Sequence, residues 1–202
     1  MVTIRSRGQL PHWEAAHAIY FVTFRLADSL PKSVLKEIEF ERLDSVRTAR
    51  AMGRELTPYE RKQLDRLFTG KIESYLDSGA GSCFLSNPTV AKMLADVIRH
   101  FDSDRYHLFA WCVMPNHVHV VFKPLGDHSL SEILHSWKSY SAKEANRILR
   151  RSGEFWMQEY YDHLVRDEAD FNRIIDYVLT NPQKAGLQDW PWVGCARRRQ
   201  EK

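Results

Sequence analysis

Met114-Pro115-Asn116-His117-Val118-His119-Val120-Val121-Phe122 is the stretch on which the reading of this chain turns. From His117 onward it holds only histidine, valine and phenylalanine, a composition that favours an extended strand. Side chains along a strand point alternately to its two faces, so His117 and His119 project together while Val118 goes to the other side. Two imidazoles on one face of a rigid strand can share a divalent metal. The same spacing also suits a partly buried strand that happens to carry two histidines, and the remainder of the chain decides between the two.

Working outward, residues 106–113 (YHLFAWCV) form a second expected strand, joined to 117–122 by a link short enough for antiparallel neighbours. Residues 18–26 (AIYFVTFRL), rich in aromatic and β-branched side chains, form another. Between them, residues from about 31 to 77 read as two helices. The second opens on Thr57-Pro58-Tyr59-Glu60, an N-cap threonine, a proline at the first helical position and a glutamate closing a capping box. A helix is expected over 88–101, with Val90, Met93, Leu94, Val97 and Ile98 on its apolar side. Ser129-Leu130-Ser131-Glu132 is a second capping box, and its helix turns Leu130, Ile133, Leu134, Trp137 and Ile148 inward; Tyr140 is placed in the core with them. A short edge strand is expected at 163–166 and a final helix at 167–180, striped by Phe171, Ile174, Ile175 and Val178. The order predicts one α+β domain over 1–202, an antiparallel ferredoxin-like (RRM-like) sheet with helices on one face, an inserted helical hairpin at about 31–77 and a basic tail at about 190–202.

Composition narrows the function classes. A chain of 202 residues suits one domain with a real core. No apolar run approaches a membrane span, so no membrane partner is expected. Residues 1–10 lack the apolar centre of a secretion signal, and Cys83, Cys112 and Cys195 show neither disulfide nor zinc spacing, which together lead us to expect the cytoplasm. The net charge of +3 says little, but its distribution says more. Arg5 and Arg7, then Arg147, Arg150 and Arg151, then Arg197 to Arg199 form basic clusters beside many aromatic side chains. Cations that track phosphates and rings that stack on bases suit single-stranded nucleic acid, although solvated faces around an aromatic core have the same composition.

The last helix supplies one more chemical group. Tyr177, three residues after Ile174, sits at the edge of the apolar stripe, where packing can anchor the ring while its hydroxyl reaches a cleft. Asn181 follows four residues later on the same helical face, and Pro182 is expected to end the helix there. An ordinary boundary tyrosine would fit the same position.

The motifs carry a family resemblance. The blocks are Tyr20-Phe21-Val22-Thr23-Phe24-Arg25, Trp111-Cys112-Val113-Met114-Pro115-Asn116-His117-Val118-His119, Phe155-Trp156-Met157-Gln158, Tyr161-Asp162-His163 leading to Arg166, and Asp176-Tyr177-Val178-Leu179-Thr180-Asn181-Pro182 running on to Gly186-Leu187. On these the chain resembles the REP-associated tyrosine transposases, IS200-like members of the single-tyrosine HUH transposases. The resemblance implies that His117 and His119 bind Mg²⁺ or Mn²⁺, that Asn181 adds a third metal contact, and that Tyr177 is the nucleophile. It implies cutting and rejoining of single-stranded DNA folded as a REP-type palindromic hairpin, through a 5′-phosphotyrosine, by a monomer or a homodimer. Candidate DNA contacts are Arg5, Arg7, Arg147, Arg150, Arg151 and the 197–199 cluster for phosphates. Trp13, Tyr20, Phe155, Trp156, Tyr160 and Tyr161 are candidates for bases. Two other readings predict different chemistry: a domesticated palindrome-binding protein that no longer cuts, and a metal-dependent hydrolase that activates water without a covalent step.

Overall fold

The computed structural model describes residues 2–6, 11–15 and 18–195, the first two segments by their backbone. The chain divides into two compact units, Met1–Ala27 with Cys83–Lys202, and Asp28–Ser82.

The larger unit is built on five strands, β3 (Tyr20–Leu26), β4 (Tyr106–Val113), β5 (His117–Pro124), β6 (Trp156–Leu164) and β7 (Val193–Cys195). Their order is β6-β3-β5-β4-β7, with every neighbouring pair antiparallel. β1 (Val2–Ser6) and β2 (Pro11–Ala15) pair separately as a two-stranded ribbon. The α+β antiparallel expectation is met. The helices are α3 (Pro88–His100), α4 (Leu130–Ile148) and α5 (Glu168–Lys184).

Strand alternation sorts the core into two layers. Tyr20, Val22, Phe24, Val118, Val120 and Phe122 pack with Leu94 and Ile98 of α3 and Leu134 and Trp137 of α4. Phe21, Ala110, Cys112, Met114 and Val121 pack with Ile174 and Val178 of α5. Helices therefore cover both faces, which corrects the expectation of helices on one face only. The physical reason lies in β5: from His117 to Phe122 every side chain is buried, and a strand apolar on both sides needs cover on both.

Local signals explain the helices. Asn87 caps α3 by accepting from the Thr89 and Val90 amides, and Ser129 with Glu132 closes the expected capping box on α4. At the centre Trp137 Nε1 donates to the Tyr106 hydroxyl at 3.1 Å, which donates to the Ile98 carbonyl at 2.8 Å. Tyr140, by contrast, is exposed rather than in the core, because the inward arc of α4 passes through Trp137 and Ser141.

Three boundaries differ from expectation. The edge strand is β6, nine residues long and ending at Leu164, not the short piece at 163–166. It pairs with β3 across an irregularity between Phe24 and Leu26, which breaks the alternation that would have marked it. α5 continues through Pro182 to Lys184. Proline lacks only its own N–H, and the helix goes on with the Ala185 amide donating to the Asn181 carbonyl at 3.0 Å. β7 lies where a basic tail was expected to begin, paired with Ala110 to Cys112.

The smaller unit holds α1 (Lys32–Ala51) and α2 (Pro58–Asp77), bridged by Lys71 and Glu41 at 2.7 Å. Its two ends meet where Ser82 donates to the Asp28 carboxylate. There a Cβ on Gly81, at φ +87°, would stand 2.6 Å from the Asp28 carbonyl oxygen, so only glycine fits.

Candidate metal centre and nucleophile

The turn between β4 and β5 sets the first histidine in place. The Met114 amide donates to the His117 carbonyl, closing a tight loop at Pro115 and Asn116. The carbonyls of those two residues accept from Leu85 and Leu26, which pins the loop from both sides. His117 and His119 then project from β5 onto the α5 side of the sheet, and both are buried. Their Nε2 atoms lie 3.0 Å apart. His117 Nδ1 is 2.7 Å from Asn116 Oδ1, and His119 Nδ1 is 2.8 Å from Thr23 Oγ1.

Burial dominates the electrostatics here. It pushes His119 down to about 3 and His117 well below the usual imidazole value, with the neighbouring imidazole adding to the effect at His117. Both rings are therefore neutral at physiological pH, the state in which imidazole ligates metals.

Aromatic packing brings Tyr177 to the pair. Phe21 stacks on His119 with centroids 5.5 Å apart, and Tyr177 meets Phe21 edge-on at 5.9 Å. The Tyr177 ring lies 5.3 Å from that of His119, and its hydroxyl oxygen is buried. Lys184, two helical turns on, holds its ammonium 5.3 Å from the Tyr177 ring. Asn181 lies on the same helix one turn beyond Tyr177. It is wholly buried, and neither polar atom of its amide has a hydrogen-bond partner among the described residues. Such an amide is costly unless something engages it.

Among the described residues no group of three His, Cys, Asp or Glu side chains converges to hold a metal. His117 and His119 offer two imidazole nitrogens, and with the Asn181 amide oxygen they would make a set that suits an octahedral divalent ion with open positions rather than a closed structural zinc. These residues fit such an ion.

The DNA candidates separate clearly. Tyr20 is buried in the core, and so are Phe155 and Trp156, with Trp156 Nε1 donating to Ser141 Oγ at 2.9 Å; none of the three offers a ring face to a base. Tyr20 and Trp156 looked available in sequence because a strand's aromatic residue can point either way. Tyr160 packs against the core with the Lys138 ammonium 5.9 Å from its ring, whereas Tyr161 is exposed and meets Phe21 edge-on. Arg147 pairs with Glu144 at 2.8 Å. Arg151 donates to Asn146 and to the Glu154 carbonyl and lies 4.6 Å above Phe84, so it serves the fold. Arg150 is exposed in a left-handed turn at φ 52°. The side chains of Arg5 and Trp13, and all of Arg7 and Arg197 to Arg199, lie outside the described residues.

Three residues at the site had been assigned no role: Phe21, Thr23 and Lys184. The first two share a strand face by alternation, and Lys184 follows Tyr177 by seven residues, so the periodicity that marked Tyr177 and Asn181 applied to them as well.

Comparison with known proteins gives a consistent picture. The sequence profile described as "Transposase IS200 like" matches residues 84–181. The chain is 27% identical over 110 residues to the REP-associated tyrosine transposase of Escherichia coli K12, covering 52% of this chain and 64% of that protein. It is 26% identical over 106 residues to a Haemophilus influenzae protein provisionally assigned to the same group, covering 46% of this chain and 60% of that protein. The match thus spans somewhat under two thirds of each relative's length. Among solved structures, one described as a REP-associated tyrosine transposase bound to a REP hairpin superimposes with a TM-score of 0.51 at 16% identity, over 93% of this chain and 82% of that one. This last likeness shows the fold.

Proposed function

From the match of residues 84–181 to the IS200-like transposase profile, we propose that the protein is a metal-dependent single-stranded DNA endonuclease and strand transferase acting on hairpin DNA through a 5′-phosphotyrosine. The observation that carries the reading is the meeting of Tyr177 with His119, ring centroids 5.3 Å apart. The hairpin substrate is taken from the solved neighbour, which is described as bound to a REP hairpin.

His117, His119 and Asn181 would hold Mg²⁺ or Mn²⁺. Such an ion, when bound, neutralises charge that builds on the non-bridging phosphate oxygens. Phe21 wedges Tyr177 and His119 into one geometry, so attack begins from a fixed orientation rather than from free diffusion. A free phenol titrates near about 10 and is a weak nucleophile at neutral pH, so it needs local activation. The Lys184 ammonium, 5.3 Å from the ring centre, is the cation proposed to supply it. The phenolate oxygen bonds to phosphorus, the phosphorus–O3′ bond breaks, and the leaving strand departs with a 3′-hydroxyl after taking a proton. A second 3′-hydroxyl can reverse the step, releasing tyrosine and joining the strands without ATP. Tyr177 meets His119 within one chain, which supports a monomer as the acting unit, with a homodimer the alternative.

Incubation with a single-stranded palindromic hairpin and Mn²⁺ should give a protein–DNA adduct that survives denaturation, and Tyr177→Phe should abolish it. An adduct persisting in that variant refutes the nucleophile. Nicking without an adduct would favour the hydrolase, and binding without nicking a domesticated DNA-binding protein.

A further inference from the structure

The hydrogens around the two imidazoles can be followed donor by donor. Asn116 Oδ1 lies 2.7 Å from His117 Nδ1. An amide oxygen only accepts, so His117 Nδ1 carries the hydrogen and its Nε2 is a lone pair. That lone pair faces His119 Nε2 at 3.0 Å, a hydrogen-bond distance. With only the two rings present, His119 Nε2 must therefore carry a hydrogen and donate it to His117. His119 Nδ1 is then an acceptor, and Thr23 Oγ1, 2.8 Å away, donates to it. The chain runs from Thr23 through His119 and His117 to Asn116.

A cation held between the two Nε2 atoms needs the opposite tautomer at His119. Its Nε2 must offer a lone pair, its hydrogen must sit on Nδ1, and the Nδ1 partner must accept. A hydroxyl can both donate and accept, whereas an amide or carboxylate oxygen cannot. The ring cannot exchange its two nitrogens by turning over, because it is wholly buried and stacked on Phe21. Thr23 is itself fixed in a central strand, directly opposite His119 on β5 and Tyr161 on β6.

We infer that Thr23 is a positioning residue whose hydroxyl sets the tautomer of His119, donating to it while the imidazoles bond each other and accepting from it when both turn lone pairs to a divalent cation. The inference rests on the metal-site reading proposed above.

Two variants and two readouts without DNA test it. Thr23→Val keeps the side-chain shape and removes the hydroxyl, and Thr23→Ser keeps the hydroxyl. Long-range ¹H–¹⁵N NMR of the metal-free protein should show His117 protonated at Nδ1 and His119 at Nε2, and diamagnetic Zn²⁺ should move the His119 hydrogen to Nδ1. Mn²⁺ binding followed by electron paramagnetic resonance should weaken about 10- to 100-fold in Thr23→Val, the range found when a ligating histidine loses its outer partner. Thr23→Ser should restore it. A metal-free His119 already protonated at Nδ1, or Thr23→Val binding Mn²⁺ as tightly as the unaltered protein, overturns the inference and leaves the metal site standing. Failure of the unaltered protein to bind Mn²⁺ overturns both. Should Thr23→Val not fold, the NMR of the unaltered protein and a loss of Mn²⁺ binding in Thr23→Ser still decide against it.

Discussion

Mild acid should destabilise this protein, in the presence of a chelator, through its two buried histidines. His119 is pushed from 6.5 to about 3 in the folded state by burial, and His117 well below its usual value. The unfolded chain binds protons at these positions near pH 6.5 while the folded chain does not, so stability is complete above that value and falls as the pH drops below it. His119 contributes a slope approaching 1.4 kcal/mol per pH unit, and between about pH 6.5 and 4.5 its integrated loss is about 2 kcal/mol. His117 adds a loss in the same direction, against a typical domain stability of about 5–15 kcal/mol. Urea unfolding at a series of pH values measures the slope directly. His119→Gln, which keeps a group able to bond Thr23, should lose the His119 part of that slope. Equal slopes in the two proteins, or His117 or His119 imidazole signals that titrate near pH 6 in the folded protein, would refute the reasoning.

Lys184→Met should slow adduct formation about tenfold with an unchanged unfolding midpoint, because it removes the cation beside the Tyr177 ring and little packing; single-turnover kinetics read the rate. Trp137→Ala should destabilise the fold by about 3–5 kcal/mol in denaturant titration, since it empties a buried indole site and strips a donor from Tyr106. Gly194→Val should cost about 1–3 kcal/mol, because any Cβ there stands 3.0 Å from the Trp111 indole. Hydrogen exchange of the amides joining β7 to β4 should quicken in that variant.

Much of the site was legible because it rests on local periodicity. The alternation of β5 alone puts His117 and His119 on one face, and one helical turn relates Tyr177 to Asn181. The capping boxes at Thr57 and Ser129 start α2 and α4 where expected, since capping is decided by residues three apart. Among the described residues no helix is long and apolar enough to cross a membrane, as hydropathy alone implied.

What tertiary structure decided is everything that depends on a face being covered. Tyr20 and Trp156 share their aromatic character with exposed Tyr161, and only packing against α4 and the sheet separates core rings from accessible ones. The placement of α5 opposite α3 and α4 brings Tyr177 to the histidines, and a helix's own sequence does not say which side of a sheet it will cover. Thr23 lies 96 residues from His119, and their hydrogen bond exists because β3 and β5 pair in one register; a shift of one residue would turn the hydroxyl to the other face. Local chemistry was thus written in short spacings along the chain, whereas the meeting of those groups came from long-range pairing and burial, which no short spacing encodes.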